Sequence, residues 1–326
     1  MKAPKVSFVI CTYNAKELAR RCIESIKMQD YPKNRIEIIC VDGGSTDSTL
    51  KLLEKYKVKI IHNKNRLPEG KGMGKFLGYR AAMGQFIAIV DQDNEIQGNE
   101  WLKDMLFPML NDKKVFGSAC MLLTEKDDPA INRYISLIGT DPFAAYRSLD
   151  GVLGLRRIKL DDKGKYFSYD MNLKNMIITG GNCFIYRKKA LDSIGGYTID
   201  TDVIYSIAEK GSVLAIPKNA RTWHHATKSI AEFIGKKISW SKNYSERLQK
   251  GRKFKWIPED RKGKIELIKN VLMNLLIIPN LYISIKHYNE SKESAWLLHP
   301  LMAFLVTAFY GLNFSISKID NLLHKL

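Results

Sequence analysis

The sequence predicts an α/β protein whose mostly parallel sheet carries helices on both faces, and three observations support this prediction. Short apolar runs with the length of buried strands recur in the first third of the chain. Segments with helical periodicity separate these runs, and helical crossovers of that length join parallel strands. The chain has 326 residues, of which 45% are hydrophobic, so it can bury a sizeable core and global disorder is excluded.

The first predicted elements alternate between strand and helix. Residues 6–11 (VSFVIC) and 36–41 (IEIICV) predict two buried strands. Residues 15–29 lie between them and predict a helix with one apolar face, formed by Leu18, Ala19, Cys22, Ile23 and Ile26. Ser45 is expected to cap the next helix, whose apolar positions are Leu50, Leu53 and Tyr56.

Two further strands extend the predicted sheet. Residues 58–62 predict the third strand, and residues 86–90 (FIAIV) predict the fourth. The glycine-rich turn at residues 69–74 is expected to open a helix that runs to Met83.

The charge of the chain predicts an anionic partner. Lys and Arg number 52 against 34 Asp and Glu, which gives a formal net charge of +18. Residues 226–270 hold 13 of the basic residues and only 5 of the acidic ones. The partner could be nucleic acid, a phosphate-bearing substrate or a membrane surface. Nucleic acid is not expected, because zinc-finger spacing and RNA-binding aromatic signatures are absent from the sequence.

The C-terminal quarter predicts membrane association. Residues 250–264 are basic and polar and predict a linker, and two apolar stretches follow at 271–285 and 295–314, separated by a polar turn at 286–294. A transmembrane hairpin, helices lying in the interface and helices packed on the rest of the chain are all compatible with this pattern.

Two features predict that the chain faces the cytoplasm. Its five cysteines are an odd number without a CxxC pair, which fits a reducing compartment. If the tail meets a membrane, the basic flank at residues 252–269 lies on the cytoplasmic side by the positive-inside rule.

Polar residues follow three of the predicted strands directly. Thr12, Tyr13 and Asn14 follow the first strand, residues 42–47 (DGGSTD) follow the second, and residues 91–94 (DQDN) follow the fourth. Ligands of open α/β sheets bind beyond the carboxyl ends of the strands, so these endings predict one shared site. Asp42 could bind a nucleoside base or ribose, or it could form only a turn and a helix cap.

Asp91 and Asp93 predict a metal site. Residues i and i+2 at the end of a strand point to the same side, and two carboxylates there repel each other unless a cation lies beside them. Mn²⁺ and Mg²⁺ accept such carboxylates together with phosphate oxygens, which a nucleotide diphosphate would supply.

In these residues the chain resembles the inverting nucleotide-sugar glycosyltransferases of family 2, which have the Rossmann-like GT-A fold. The resemblance covers roughly residues 4–240 as an ordered series of motifs: VSFVICTYNA, VDGGSTDST, AAMGQFIAIVDQDNE, TGGNCFIYRKKALDSIGGY, IDTD, and HH followed by a basic helix. Each motif is weak alone, and their order and spacing make the match specific.

The resemblance implies a role for each matching position. Thr12, Tyr13 and Asn14 would line the nucleotide pocket, and Asp42 would meet the base or ribose. Asp91 and Asp93 would form the metal motif, with Asp93 as the direct ligand. The remaining implied site residues are Gly180, Gly181 and Asn182, near the donor sugar and the acceptor, and His224, at a metal or diphosphate contact.

The general base is implied within the IDTD segment. Direct displacement at an anomeric carbon needs a group that takes the acceptor proton, and Asp200 falls where the family places that base. Ile199 stands where the family often has Glu, so Asp202 stays open as the alternative, as does helix capping by either residue.

Together these features predict a metal-dependent inverting transferase at the cytoplasmic face of the cell membrane, with a lipid-linked or glycan acceptor. Alternatives are a polyprenyl-phosphate glycosyltransferase and a sugar nucleotidyltransferase. The expected organisation is a catalytic domain at 1–230, a basic helix with a linker at 231–264, and membrane-associated helices at 265–326. The catalytic domain would have a nucleotide-sugar half at about 1–95 and an acceptor half at about 96–230.

Overall fold

The computed structural model describes residues 3–67, 70–139, 141–143, 159–179, 181–247, 252–255 and 259–323. The chain divides into two compact units, each made of two separate segments. The first unit comprises Met1–Leu123 and Ile158–His224, and the second comprises Thr124–Arg157 and His225–Leu326.

The apolar runs of the first unit form the predicted parallel strands, because side chains buried on both faces favour a covered parallel sheet. Strand β1 pairs in parallel with β2 and with β4, and β2 pairs in parallel with β3, which confirms the predicted pairing. The strands are β1 (Val6–Thr12), β2 (Ile36–Asp42), β3 (Lys59–His62) and β4 (Phe86–Asp91). The helices among and after them are α1 (Lys16–Lys27), α2 (Thr49–Lys55), α3 (Gly74–Ala81) and α4 (Trp101–Asn111).

The expected helix cap at Ser45 is wrong. Helix α2 begins at Thr49, four residues later, and the Ser45 hydroxyl donates a hydrogen bond to Asp42 Oδ1 at 2.6 Å instead. Near the start of α2, Asp47 Oδ1 accepts a hydrogen bond from the Thr49 amide at 2.9 Å. The buried Asp42 carboxylate therefore holds Ser45 in the loop that precedes the helix.

The large sheet becomes mixed after its parallel part. Within the described residues it has nine strands in the order β3-β2-β1-β4-β10-β6-β11-β9-β8, and β10 runs antiparallel between β4 and β6. A smaller sheet has the order β5-β12-β7. The added strands are β5 (Asn94–Ile96), β6 (Val115–Ala119), β7 (Met121–Leu123), β8 (Asp161–Asp162), β9 (Tyr166–Met171), β10 (Phe184–Arg187), β11 (Ser212–Pro217) and β12 (Arg221–His224).

A core of buried side chains packs against this sheet. Phe8 and Ile10 of β1 are fully buried with Ile23 of α1 and Trp101 of α4. Close-packed side chains of this kind fix the strand ends, since a shift of one element would open cavities under all of them. The strand ends are therefore rigid positions for polar groups.

The second unit is helical. Its core joins Tyr134, Trp296, Met302 and Val306, which are all buried. Lys237 is buried as well, and its ammonium lies 3.1 Å from Asp141 Oδ2. The helices of this unit are α5 (Ala130–Ile138), α8 (Ile230–Arg247), α9 (Arg261–Leu275), α10 (Ile277–Ser291) and α11 (His299–Leu323), whereas α6 (Lys188–Asp192) and α7 (Asp200–Glu209) belong to the first unit.

Two expected boundaries in the tail differ from the structure. Helix α9 begins at Arg261, inside the expected linker, because Asp260 caps it by accepting from the Gly263 amide at 2.8 Å. Helix α10 continues to Ser291, inside the expected turn, and ends only where Lys292 takes a left-handed conformation at φ 58°. No glycine or proline lies between residues 280 and 291 to stop the helix earlier.

One helix in the described residues is long and apolar enough to cross a membrane. It spans Ser294–Ser315, with a mean hydropathy of 1.6 and 44% of its apolar window buried within the chain. Helices α9 and α10 pass the same test only as a pair, and they are bent by 78° at their junction. A core helix of a soluble protein passes this test too, so length and composition alone do not place the chain in a membrane.

Candidate active site

The strand register brings three of the polar endings to one edge of the large sheet. Thr12 at the end of β1 lies opposite Asp42 at the end of β2, and Cys11 lies opposite Asp91 at the end of β4. The expected common edge is therefore present, since parallel strands with aligned starts also end together. All of these residues belong to the first unit.

Asp42 shapes the loop that follows β2. It is fully buried, and its Oδ2 accepts from the amides of Gly44 and Ser45 at 2.8 and 2.9 Å. Its Oδ1 accepts from the hydroxyls of Ser45 at 2.6 Å and, at the long distance of 3.4 Å, Thr12. The carboxylate thus orders the turn, a role that is compatible with the nucleoside contact that the sequence predicts.

Asn14 and Tyr13 form the outer part of the same edge. Asn14 has a left-handed backbone with φ 46°, which Asn tolerates better than most residues, and its Oδ1 accepts from the Thr46 amide at 2.8 Å. The Tyr13 ring is exposed, and the guanidinium of Arg66 lies 4.2 Å from its centroid. The two loops after β1 and β2 are therefore tied together beside an exposed aromatic face.

Lys75 connects two of the candidate carboxylates. Its Nζ lies 3.3 Å from Asp91 Oδ1 and 3.6 Å from Asp200 Oδ2, and it donates a hydrogen bond to the Gly181 carbonyl. The lysine is 13% exposed and enters from the first turn of α3. Lys75 stands where the family that the chain resembles often carries Asn, a departure that could alter donor contacts but that does not predict the pairing with Asp91 and Asp200.

The charges of this group compensate one another. Burial acts to lower the pKa of Lys75, but the carboxylates of Asp200 and Asp91 outweigh burial and hold that pKa above its ordinary value. Burial raises the pKa of Asp91, and the Lys75 ammonium opposes part of that rise. Lys75 is therefore a permanent cation between two carboxylates.

Asp200 is held from two further sides. The Tyr197 hydroxyl donates to Asp200 Oδ1 at 2.5 Å, and Tyr197 itself is fully buried against Tyr186. The Gly181 backbone lies so close that a Cβ there would be 2.1 Å from Asp200 Oδ2. A side chain at position 181 would therefore displace the Asp200 carboxylate from its present position.

Asp202 lies two residues beyond Asp200 in the first turn of α7. Side chains two apart on a helix point about 200° apart around its axis. Asp200 and Asp202 therefore cannot both face Asp91, and Lys75 shows that Asp200 is the one that does.

Asp93 and His224 lie close to each other, with Asp93 in the segment of residues 91–94 at the end of β4. Asp93 Oδ1 is buried and has no hydrogen bond among the described residues, and His224 Nε2 lies 3.8 Å from it. The same Nε2 is 3.1 Å from Asn182 Nδ2. His224 is positioned by β12, which pairs antiparallel with β5 so that His224 lies opposite Asn94.

This arrangement fits a divalent cation. A buried carboxylate oxygen without a hydrogen-bond donor is costly unless a cation compensates it. Carboxylate oxygen and imidazole nitrogen are ligands that Mn²⁺ accepts, and the oxygens of Asp91 and Asp93 also suit Mg²⁺. Asp93 and His224 are thus the pair of this edge that could hold a metal, with Asp91 beside them, although the ligand atoms of the three do not all lie within 4.8 Å of one another.

Two further predicted or adjacent positions lie elsewhere. Gly180 lies outside the described residues. His225 belongs to the second unit, where its Nδ1 is 3.6 Å from Asp128 Oδ1. Glu125, Asp128 and His225 form a separate group whose ligand atoms lie within 4.8 Å of one another. The two adjacent histidines therefore contact different residues, as expected for neighbours on an extended chain, whose side chains point to opposite sides.

Comparison with known proteins identifies relatives of the chain. Residues 7–195, more than half of its length, match the family described as "Glycosyl transferase family 2". The poly(ribitol-phosphate) beta-N-acetylglucosaminyltransferase TarS of Staphylococcus aureus (strain Mu50 / ATCC 700699) is 35% identical over 103 residues, which are 31% of this chain and 18% of that protein. The Escherichia coli protein named UDP-Glc:alpha-D-GlcNAc-diphosphoundecaprenol beta-1,3-glucosyltransferase WfaP is 34% identical over 123 residues, 37% of this chain and 47% of that protein. The matched segments thus cover less than half the length of these curated relatives.

A solved structure shares the fold. It is the mannosyltransferase PcManGT from Pyrobaculum calidifontis in complex with GDP-Man and Mn²⁺. The superposition has a TM-score of 0.56 at 16% sequence identity and covers 100% of this chain and 89% of that one. At this level of identity the similarity concerns the course of the backbone.

Proposed function

The chain belongs to glycosyl transferase family 2 and has the GT-A fold, and we propose that it is a metal-dependent, inverting member of that family with a nucleotide-diphosphate sugar as donor. The observation that carries the proposal is the row of contacts at one sheet edge. Lys75 lies between Asp200 and Asp91 in space. Asp93 and His224 lie beside Asp91, and the buried Oδ1 of Asp93 has no hydrogen bond among the described residues. A base and a cation site held this close to each other are what displacement at a sugar carbon needs.

Asp200 is the proposed base. An acceptor hydroxyl oxygen attacks the anomeric carbon, the bond from that carbon to the diphosphate oxygen breaks, and the hydroxyl proton passes to the Asp200 carboxylate. Attack opposite the leaving group inverts the configuration. The Tyr197 hydroxyl and the Gly181 backbone support this role, because they fix the carboxylate that must accept the proton. Asp202 is the alternative, and its place on α7 makes it the weaker candidate.

Asp93, His224 and Asp91 are the proposed metal ligands. When bound, Mn²⁺ or Mg²⁺ would supply a positive charge for the nucleoside diphosphate that leaves. Lys75 supports the same end of the site: it keeps the Asp91 and Asp200 carboxylates compensated and positioned before the donor arrives. The PcManGT structure, which contains Mn²⁺, has the same fold, and this is consistent with a metal-dependent site.

The nucleoside is proposed to bind where the loops after β1 and β2 meet. Asp42 and Asn14 order these loops by accepting hydrogen bonds from backbone amides, and the Thr12 hydroxyl lies 3.4 Å from Asp42 Oδ1. The exposed Tyr13 ring offers a flat apolar surface for a nucleobase. Gly181 and Asn182 lie between Asp200 and His224 in the network of contacts, which places them beside the reacting sugar in this proposal.

The acceptor is proposed to be lipid-linked or a glycan, at the cytoplasmic face of a membrane. One relative is named for an undecaprenol-diphosphate-linked acceptor and another for a poly(ribitol-phosphate) acceptor. The apolar C-terminal helix supports a lipid-linked acceptor, which includes a polyprenyl phosphate as a narrower alternative. The sugar nucleotidyltransferase alternative loses support from the family match. The division into a catalytic domain at 1–230, a linker and membrane-associated helices stays a prediction.

The test is a donor panel with the full chain. UDP-glucose, UDP-GlcNAc and GDP-mannose are each incubated with Mn²⁺, Mg²⁺ or EDTA, and nucleoside diphosphate release is measured. We expect release from one donor with a metal and none with EDTA. Asp127→Ala, which removes an exposed aspartate of the second unit, is the matched control for Asp93→Ala. Full turnover in EDTA would contradict the metal dependence, and a folded chain inert towards every donor would contradict the donor class.

A further inference from the structure

Helix α10 buries three of its polar side chains and exposes most of its apolar ones. Asn280, Ser284 and His287 are buried against the second unit. The Ser284 hydroxyl donates to the Trp296 carbonyl at 2.6 Å, and the His287 ring stacks on the Trp296 ring with centroids 4.6 Å apart. Helices on the surface of a soluble protein show the reverse arrangement.

The outer face of α10 is a continuous apolar stripe. Ile278 is 81% exposed and Tyr282 is 70% exposed. Ile277, Leu281 and Ile285 extend the stripe, and all of them are exposed. These positions follow the i, i+4, i+8 spacing of one helical face, with their neighbours widening it. The stripe therefore belongs to a single surface.

Helix α9 continues this surface. Ile265, Ile268, Leu272 and Leu275 follow a helical spacing and are all exposed, and Leu276 at the junction of the two helices is 59% exposed. We call α9, Leu276 and α10 together the helix corner (residues 261–291). Its apolar side chains converge on the junction.

The charges of the helix corner lie at its ends. Residues 270–285 contain no charged residue, and the exposed Lys269 and Lys286 bracket them. Arg261, Lys262 and Lys264 add positive charge at the start of α9, and the acidic residues near them are Glu259 and Asp260 directly before the helix and Glu266 within it. Long basic side chains at the boundary of an apolar surface complement anionic lipid headgroups.

The shape of the helix corner excludes a straight crossing of a bilayer. Each helix has 15 residues, and the two are bent by 78°. A helix of that length is about 22 Å long, against about 30 Å of hydrocarbon. The break is also compatible with lipid, because Asn280 Nδ2 donates to the Met273 carbonyl at 3.1 Å and so satisfies a backbone group near the junction.

We propose that the helix corner inserts its junction into one leaflet of an anionic membrane without crossing it, a placement that rests on the membrane location proposed above. Lipid is favoured over a protein partner by the orientation of the polar groups. A protein interface of this size normally carries hydrogen bonds that fix its register, whereas Asn280, Ser284 and His287 all point inward. Hydrocarbon needs only the apolar surface that the corner presents.

The first test is flotation of the full chain with vesicles of phosphatidylcholine, with or without phosphatidylglycerol. Ile278→Glu should lower binding to anionic vesicles about tenfold or more, because it puts a charge into the apolar surface. Met28→Glu, at a position 72% exposed in the first unit, should bind like the wild type. Lys262→Gln should lower binding about fivefold with phosphatidylglycerol and leave it unchanged without. Equal binding of Ile278→Glu and the wild type would overturn the proposal.

The second test separates insertion in one leaflet from crossing. The full chain is added to preformed vesicles and treated with a membrane-impermeant maleimide, and labelling is measured above that of the native cysteines. Lys262→Cys and Lys292→Cys should both be labelled from outside, and Ile278→Cys should be protected. Protection of both Ile278→Cys and Lys292→Cys, with Lys262→Cys still labelled, would mean that the pair crosses, and full labelling of Ile278→Cys would mean that the corner stays in water. Nucleoside diphosphate release, measured on the same samples, reports on the proposed activity independently, so either proposal can fail alone.

Discussion

The candidate site at the edge of the large sheet (Lys75, Asp91, Asp93, Asp200 and His224), here called the strand edge, and the helix corner of the second unit both depart from ordinary packing. They do so in opposite ways. At the strand edge, charged groups are held in a partly buried place: Lys75, Asp91 and Asp200 compensate one another, and Asp93 Oδ1 has no hydrogen bond among the described residues. At the helix corner, apolar groups such as Ile278 are held in an exposed place. Each departure costs folding free energy when the protein stands alone in water.

The difference shows how a group in an unfavourable environment indicates the chemical class of the partner that it would bind. A buried carboxylate oxygen prefers a cation, and an exposed apolar stripe prefers a nonaqueous phase. The same difference predicts that the two regions respond to different substitutions. Changes at the strand edge should alter catalysis and leave vesicle binding alone, and changes at the helix corner should do the reverse.

The largest effect is expected for Asp93→Ala. Loss of the proposed direct metal ligand should reduce kcat by roughly 10³-fold, because the charge on the leaving diphosphate is no longer compensated. The melting temperature should stay unchanged or rise slightly, since the buried Oδ1 has no hydrogen bond within the described chain to lose. The measurements are turnover with saturating Mn²⁺, thermal unfolding and vesicle flotation. A fall in vesicle binding equal to that of Ile278→Glu would break the separation between the two regions.

The next effect concerns the base. Asp200→Asn keeps the size of the side chain and removes the proton acceptor, so kcat should fall by roughly 10²-fold or more while the Kd for the nucleoside diphosphate stays near its wild-type value. Asp202→Asn is the matched control on the same helical turn, and only a small change is expected. If Asp202→Asn abolishes turnover and Asp200→Asn does not, the assignment of the base is wrong.

The strand edge was predictable from the sequence because each strand and the polar residues that follow it are adjacent in the chain. Residues 6–11, 36–41 and 86–90 are continuous apolar runs that form parallel strands, and the polar residues directly after them must meet at one edge. The resemblance to the family then implied that Asp93 is a metal ligand and His224 a metal or diphosphate contact, so the two were expected near each other although they are far apart in the chain. The structure places them 3.8 Å apart.

Other features needed the folded chain. The ion pair of Lys75 with Asp200 joins distant segments and has no periodic signal. Ser45 was expected to cap a helix, and only the buried Asp42 carboxylate explains why it does not. The apolar stretch 271–285 indicated a hydrophobic surface, but helical periodicity does not say which face of a helix is inside. The inverted arrangement of α10 therefore had to be observed.

Lys75→Met tests whether compensation inside the strand edge matters. Removing the ammonium leaves Asp91 and Asp200 without their shared cation, so we expect kcat to fall about thirtyfold. The free energy of unfolding should fall by about 1–2 kcal/mol. This value is discounted for solvent screening, because the side chains of Asp91 and Asp200 are 34% and 40% exposed. Lys75→Arg should recover part of both losses. A positioning role predicts that kcat falls more than KM rises. An equal loss of stability with unchanged kcat would show that Lys75 only supports the fold.

The smallest expected effect is that of Gly181→Ala, and it examines the geometry of the base most directly. A Cβ at this position would lie 2.1 Å from Asp200 Oδ2, so the carboxylate has to move while its charge and its chemistry stay the same. A displacement of this size should lower kcat about tenfold and leave the Kd for the nucleoside diphosphate nearly unchanged. Gly235→Ala is the control, because a Cβ there meets nothing within 4 Å and Ala favours the helix α8. Wild-type turnover of Gly181→Ala would mean that the reaction does not depend on the position of the Asp200 carboxylate. The strand edge would then hold that residue for stability, as it holds Tyr197, and the base would have to be sought at Asp202.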